Sequence, residues 1–209
     1  MQATVDTVSG GHYFDPSPSS ASRPQQVTLT LPDLTITLDT DSGMFSPDRV
    51  DPGTKLLLLE GPPPDVSRGP LLDLGAGYGP IAITLARRDP RAEVWAVEVN
   101  ERARELCRAN AQREGVADRV VVAAPDEVPL DLRFGEIWSN PPIRIGKPAL
   151  HELLDHWLGR LESGGCAHLV VNRHLGADSL ARWLTDRGAT VTRRSSRMGY
   201  RVLAVEPGR

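Results

Sequence analysis

The segment at residues 137–147, IWSNPPIRIGK, places an asparagine and two prolines directly after a short apolar run. Two consecutive prolines exclude a helix interior and cannot donate to a sheet ladder, so Asn140, Pro141 and Pro142 form a stiff polar corner. The Asn140 side-chain oxygen and the Pro141 carbonyl can together accept both hydrogens of one amino group, which turns the nitrogen lone pair toward an electrophile. Taken alone, the same residues also fit a plain turn, so their role depends on the elements around them.

A second group of residues suited to chemistry lies upstream, in LDLGAGYGP at residues 72–80. An apolar run enters a turn that contains Gly75, Gly77 and Gly79, and a helix begins at Pro80. Glycine lets the backbone approach a ligand, and a helix N-terminus offers free N–H groups, so the pattern favours a nucleotide pocket. A tight strand-to-helix turn alone would also explain Gly75 and Gly77.

Carboxylates and glycine spacing indicate which nucleotide fits. Glu98 closes the next strand, where an acidic side chain can accept hydrogen bonds from a ribose diol. The spacing is G-x-G-x-G, and Pro80 stands where a dinucleotide loop has its last glycine. Asp73, inside the first strand, suits an ammonium group better than a pyrophosphate, so the implied ligand is S-adenosyl-L-methionine. Asp126, after the third strand, is either an acceptor for the adenine amino group or a solvated loop acid.

The alternation of apolar runs and helical stretches from Pro70 onward predicts the fold that positions these residues. It is typical of an α/β protein with a doubly wound, mostly parallel sheet of seven strands, a Rossmann-like fold. The last two strands should pair antiparallel, because their link is too short for a crossover helix. Asn140 then follows the fourth strand, at the carboxyl edge where open α/β sheets bind ligands. This placement makes the corner a candidate catalytic loop. The expected strands are PLLDL, AEVWAV, RVVVAA, GEIWS, CAHLVV, ATVTRR and YRVLAV.

The first third of the chain has a different composition. Residues 1–26 are rich in Ser, Pro and Gly and are predicted to form a flexible leader. The alternating pattern of VTLTLPDLTITLDT predicts a β-hairpin, and a helix should follow it, so residues 27–69 form a short appendage. The α/β domain is expected to occupy residues 70–209.

Overall composition limits the partners and the location. The chain has 209 residues and a formal net charge of -3, which gives no overall attraction to nucleic acid. Cys107 and Cys166 lie far apart without ligand spacing, which is typical of reduced thiols, and no metal site is expected. No membrane span or signal peptide is recognisable, so we expect a cytoplasmic protein without a membrane partner.

Together these segments resemble class I S-adenosylmethionine-dependent methyltransferases that act on planar amino groups, in particular the small-domain family that includes the 16S ribosomal RNA guanine-N2 methyltransferase. The resemblance covers residues 40–205 and implies methyl transfer to an exocyclic amino group, with Asn140 to Pro142 as the catalytic loop. Guanine-N2 enzymes carry a noncatalytic domain ahead of the catalytic one, where we expect a short appendage here. The segments that match in order and spacing are GMFSPDRVDPGTKLLL, LDLGAGYGPIAI, VEVNERARELCRANA, SNPPIRIGK and VVNRHLGADSL.

Residues near the corner indicate the substrate. In relatives that methylate adenine or protein glutamine, an aromatic residue usually follows the prolines, whereas this chain has Ile143, which favours guanine over those targets. Together with Ile143, the resemblance implies the 2-amino group of a guanosine in small-subunit ribosomal RNA. Phe45 could supply a stacking ring, or could be a core residue. Basic residues expected on the same edge could neutralise RNA phosphates or form an ordinary charged surface. They are Arg144, Lys147, Arg173 and His174, with Arg193, Arg194, Arg197 and Arg201 near the last turn.

Two other functions stay open from the sequence. The same corner could serve methylation of another amine or amide, in a small molecule or a protein glutamine. The chain could also be a noncatalytic RNA-binding module. The expected partner is ribosomal RNA or the small ribosomal subunit, and a monomer is favoured.

Overall fold

The computed structural model describes residues 22–208, so most of the predicted leader, up to residue 21, lies outside the described residues. The predicted domain boundaries after residues 26 and 69 stay predictions. The helices and strands, in chain order, are β1 (Pro24–Thr30), β2 (Thr35–Asp41), α1 (Pro52–Glu60), β3 (Leu71–Leu74), α2 (Pro80–Arg88), β4 (Val94–Val97), α3 (Glu101–Arg113), β5 (Val120–Ala123), β6 (Phe134–Ser139), α4 (Lys147–Leu158), β7 (Leu161–Asn172), α5 (Ala177–Asp186), β8 (Thr190–Arg197) and β9 (Tyr200–Glu206).

The central sheet has seven strands in the order β5-β4-β3-β6-β7-β9-β8. Strands β5, β4, β3, β6 and β7 are parallel, and β9 runs antiparallel to both β7 and β8. The predicted Rossmann-like sheet with an antiparallel last strand is therefore confirmed. The chain order reverses between β3 and β6, and such a switch point opens a crevice at the carboxyl ends of the two strands.

Two strands show how burial shapes the sheet. Every residue of β3 and β6 is buried, as expected for central parallel strands covered on both faces. Strand β7 is longer than predicted, because it begins at Leu161 rather than at Cys166 and pairs with Phe134 before a register shift. Residues 162–164 of β7 are exposed and carry no apolar alternation, so the sequence pattern revealed only its buried second half.

The hairpin packs into the body of the protein. Strands β1 and β2 pair antiparallel from Pro24↔Asp41 to Thr30↔Thr35. Their inward side chains, among them Leu29 and Leu38, are buried in one hydrophobic cluster with residues of α1, α2 and α3. The hairpin predicted as an appendage therefore shares a core with the helices on one face of the sheet.

Asn110 of α3 fastens this hairpin to the loop between β3 and α2. The side chain is fully buried. Its amide oxygen accepts the Asp39 N–H at 2.7 Å, and its amide nitrogen donates to the Asp39 carbonyl at 2.8 Å and to the Tyr78 carbonyl at 2.9 Å. One side chain thus joins β2, α3 and the glycine-rich loop. Arg113, one turn further along α3, also pairs with Asp39, but at the surface.

Two other features are absent from residues 22–208. No helix there is long and apolar enough to cross a membrane. No group of three or more His, Cys, Asp and Glu side chains is placed to hold a metal ion. Cys107 is buried and Cys166 is partly exposed, and both are free thiols.

The Asn110→Ala substitution should lower the free energy of unfolding by about 2–3 kcal/mol, because it removes the hydrogen bonds to the part-buried Asp39 peptide groups and to the buried Tyr78 carbonyl. Urea denaturation measures this difference. Arg113→Ala is the matched control on the same helix and against the same residue, and it should cost less than about 1 kcal/mol because the pair is solvent-exposed. Equal losses in the two variants would contradict the role given to Asn110.

Candidate active site

The glycine loop, residues 75–79, leaves open space beside its backbone. Gly75, Gly77 and Gly79 all have positive φ, at 76°, 56° and 96°. A Cβ atom at Gly79 would lie 2.7 Å from Cys107 Sγ, so this glycine allows α2 to pack closely on α3. A Cβ atom at Gly77 would meet nothing within 4 Å. The loop therefore presents a free surface at Gly77, where a ligand can approach the main chain.

Glu98, which follows β4, lies beside that free surface. The residue is buried, with 6% of its surface exposed. Its Oε2 accepts the Gly77 N–H at 2.9 Å and its Oε1 accepts the Asn100 N–H at 2.9 Å. Each carboxylate oxygen can accept a further hydrogen bond, so Glu98 can hold the loop and still accept from a ligand hydroxyl. Asp126 lies in the exposed 3-10 turn Pro125–Glu127 after β5.

Asp73 faces the first turn of α2. It is completely buried, its Oδ2 accepts the Ala82 N–H at 2.9 Å, and its Oδ1 has no partner among the described residues. Burial raises the pKa of Asp73 to about 8, the hydrogen bond from Ala82 opposes that rise, and the charge of Glu98 adds to it. The sequence indicated a carboxylate near the loop, but not one sealed from solvent. Its contact with a cofactor stays a prediction.

The Asn-Pro-Pro corner lies next to the glycine loop. Ser139, the last residue of β6, donates from its hydroxyl to the Leu74 carbonyl at 2.7 Å, and Leu74 precedes Gly75. The Pro141 carbonyl accepts the Ile143 N–H at 2.8 Å. A carbonyl oxygen has two lone pairs, so Pro141 can still accept from a substrate.

The side chain of Asn140 is held by the start of α1. Its Nδ2 donates to Asp51 Oδ1 at 2.8 Å and to Thr54 Oγ1 at 3.0 Å. Both amide hydrogens are therefore used, and no donor within residues 22–208 reaches Asn140 Oδ1. Asn140 is half-buried and its Oδ1 is not among the fully buried polar atoms that lack a partner, so this oxygen can accept a hydrogen bond from a ligand.

Sequence reasoning missed Asp51 and Thr54 as site residues. Asp51 caps α1, with its Oδ1 accepting the N–H groups of Gly53 and Thr54, and Pro52 occupies the first helical position. An Asp-Pro pair is a recognisable helix start, and a helix was predicted here. Nothing in the local pattern shows that this cap contacts a residue 89 positions later.

The predicted substrate residues lie on loops near the corner. Phe45, between β2 and α1, is 65% exposed, so the alternative that it is a core residue is wrong. Ile143 packs against a hydrophobic cluster that includes Leu150 and Leu154 of α4, and it lines a cavity of about 130 Å³ between the starts of α4 and α5. Arg144, Lys147 and Arg173 are exposed on the segments that follow β6 and β7.

The arginines near the last turn do not form one free basic cluster. Arg197 pairs with Glu60 at 2.9 Å, and Arg201 is mostly buried and pairs with Asp178. Their charges are therefore partly neutralised within the protein. Arg193 and Arg194 are exposed on β8, which is an edge strand of the sheet.

The Asp73→Asn substitution should remove a pH dependence from stability. In the wild type, Asp73 has a pKa near 3.8 when unfolded and about 8 when folded, so the stability that it contributes is complete below about pH 4 and is lost as the pH rises toward about 8. Relative to the variant, the wild type should lose up to about 1.4 kcal/mol of unfolding free energy per pH unit in that window. Urea denaturation across the window measures it.

The exposed Asp126→Asn variant is the control, and its stability should follow the wild type across the window. Parallel pH curves for the wild type and Asp73→Asn would show that burial does not hold the proton on Asp73.

The chain is similar in sequence to known proteins over most of its length. The chain is 32% identical over 194 residues to the uncharacterized protein YbxB of Bacillus subtilis, covering 92% of this chain and 96% of that protein. It is 31% identical over 160 residues to the ribosomal RNA small subunit methyltransferase C of Shewanella loihica, covering 74% of this chain and 46% of that protein. The chain thus spans about half the length of that named enzyme.

Among solved structures, the chain is similar to a T. thermophilus methyltransferase that acts at N2 of guanosine 1207 of 16S rRNA, in complex with AdoMet and guanosine. The TM-score is 0.75 at 26% identity, with 88% of this chain and 50% of that chain covered. A ribosomal protein L11 methylase from Lactobacillus delbrueckii, with a TM-score of 0.61 at 19% identity over 77% of this chain and 85% of that one, shares the fold alone. The family model of the methyltransferase small domain matches residues 35–204, and the chain belongs to that family.

Proposed function

We propose that this chain is an S-adenosylmethionine-dependent N-methyltransferase that methylates the exocyclic 2-amino group of a guanosine in small-subunit ribosomal RNA. The observation that carries this proposal is the state of Asn140. Both of its amide hydrogens are donated to α1, while its oxygen is open in the crevice beside the glycine loop. An oriented acceptor at that position suits an amine rather than a hydroxyl, because an amino group offers two hydrogens to two fixed oxygens.

The cofactor is S-adenosyl-L-methionine, which supplies an electrophilic methyl group when bound. The free surface at Gly77 can admit the cofactor against the main chain. Glu98 lies hydrogen-bonded to that same peptide and can accept from the ribose hydroxyls. Asp126, in the turn after β5, would accept from the adenine amino group. Asp73, the cofactor residue predicted from the sequence, accepts the Ala82 N–H and so holds the first turn of α2 beside the glycine loop.

The corner orients the substrate amine. Asn140 Oδ1 and the free lone pair of the Pro141 carbonyl accept its two hydrogens, so the nitrogen lone pair points at the methyl carbon. The 2-amino group of guanine is nearly nonbasic, and no strong base has to remove a proton before attack. The proton leaves to water after the methyl group has transferred.

The target and the partner are inferred from the residues around the corner and from named relatives. Ile143 offers packing without an aromatic ring, which suits guanine better than the adenine targets of relatives with an aromatic residue there. Phe45 is exposed and free to stack on a base, and Arg144, Lys147 and Arg173 are exposed cations that can meet RNA phosphates. Two of the proteins named above, from Shewanella loihica and T. thermophilus, are named as methyltransferases of small-subunit ribosomal RNA. Such a substrate implies that the protein works in the cytoplasm.

The Asn140→Ala variant should lose at least about 100-fold in turnover, because the amine loses its orientation, while its affinity for S-adenosylhomocysteine stays within about threefold of wild type. Transfer of tritium from labelled cofactor to ribosomal RNA or small subunits measures turnover, and calorimetry measures affinity. Equal loss of both would contradict the role of the corner. Label in protein instead of RNA would favour a protein amide as the substrate.

The Glu98→Ala variant tests the cofactor site, whereas Asn140→Ala tests the corner. It should weaken S-adenosylhomocysteine binding by about 10- to 100-fold, because charge-assisted hydrogen bonds to the ribose are lost. The calorimetry used for Asn140→Ala measures this loss. Unchanged affinity would remove Glu98 from the cofactor site.

A further inference from the structure

Asp51, the cap of α1, is hydrogen-bonded to Asn140 of the Asn-Pro-Pro corner. It is 8% exposed, and its single oxygen Oδ1 accepts three N–H groups, from Gly53 at 2.8 Å, from Thr54 at 3.1 Å and from the Asn140 side chain at 2.8 Å. The first two are the usual bonds of a helix cap. The third is not needed for the cap and joins α1 to the segment after β6.

The position of Asp51 is fixed by its neighbours. Gly53 packs so closely on the Tyr200 ring that a Cβ atom there would lie 2.7 Å from the ring. The charge of Asp51 also adds to burial in raising the pKa of Tyr78. Strand β9 and the corner therefore both contact the start of α1.

A side-chain amide has nearly the same shape in two orientations that differ by a half turn. In one orientation Asn140 presents its oxygen to the crevice, and in the other it presents its NH₂ group. Only the oxygen can accept from a substrate amine, because an NH₂ group facing an amine sets donor against donor. An ionised carboxylate is purely an acceptor, whereas the Thr54 hydroxyl can donate or accept. Asp51 is thus the contact that distinguishes the two orientations.

We propose that Asp51 is a positioning residue that holds the Asn140 amide with its oxygen toward the substrate amine. This inference rests on the proposed function, because it assigns the orientation that methyl transfer to an amine requires. It predicts that the carboxylate influences turnover through Asn140 alone, without contact with the cofactor or the target base.

The Asp51→Asn substitution separates this role from helix capping. An asparagine at position 51 keeps the shape and the capping oxygen, but its amide can present either a donor or an acceptor to Asn140. We expect turnover to fall by about 10- to 100-fold. The KM for RNA and the affinity for S-adenosylhomocysteine should stay within about threefold, and the melting temperature should remain close to that of wild type.

A double-mutant cycle with Asn140→Ala provides the sharpest test. If Asp51 acts through Asn140, adding Asp51→Asn to Asn140→Ala should reduce turnover by no more than about twofold further. The matched control is Asp65→Asn, which makes the same change at the cap of the 3-10 turn Val66–Arg68, where the exposed Asp65 accepts the Ser67 N–H. This control should behave as wild type in every assay.

The outcomes separate this inference from the proposed function. Wild-type turnover in Asp51→Asn, or losses that multiply in the double variant, would overturn the role of Asp51 while leaving the proposed function intact. Unchanged turnover in Asn140→Ala would overturn the proposed function and the role of Asp51 with it. If Asp51→Asn does not fold, Asp51→Ser keeps a capping hydroxyl without the carboxylate. The same double-mutant cycle with Asp51→Ser then tests whether Asp51 acts through Asn140.

Discussion

Two hydrogen bonds from the Asn140 amide nitrogen to Asp51 and Thr54 are the constraint on which the site depends. They join the start of α1 to the segment after β6, and they leave an oxygen as the free end of the amide. The chemistry of a site that methylates an amine depends on which of its polar atoms are left without a hydrogen-bond partner. Here the protein satisfies both donors of Asn140 itself, so that under the proposed function an incoming amine would meet acceptors.

The rest of the fold keeps this arrangement in place. The sheet order brings the carboxyl ends of β3 and β6 together, and the Ser139 bond to Leu74 fixes the corner beside the glycine loop. Glu98 holds the loop from β4, and Asn110 ties the loop to the hairpin. Helix α1 belongs to the hydrophobic cluster that includes the hairpin, so the segment before the sheet supports the site. The family match begins at residue 35 and therefore includes β2 and α1, ahead of the central sheet.

Much of this could be predicted from the sequence, since the relevant signals are local. The alternating apolar runs predicted the seven-stranded sheet, and the spacing of Gly75, Gly77 and Gly79 predicted a strand-to-helix loop. Contacts between distant residues have no local signal. The bond between Asn140 and Asp51 was missed for this reason, as were the complete burial of Asp73 and the pairing of Arg197 with Glu60. The first half of β7 was missed because Leu161 continues the helical spacing of the leucines before it, and the exposed residues that follow show no alternation typical of a strand.

The central claim is that the corner presents acceptors to the 2-amino group of guanosine. Mass analysis of nucleosides tests it most directly, after small-subunit ribosomal RNA has been incubated with the protein and methyl-labelled S-adenosylmethionine. The account predicts label in N2-methylguanosine and in no other nucleoside. Label in N6-methyladenosine, in a ring-nitrogen or ribose methyl product, or in no nucleoside at all would contradict it.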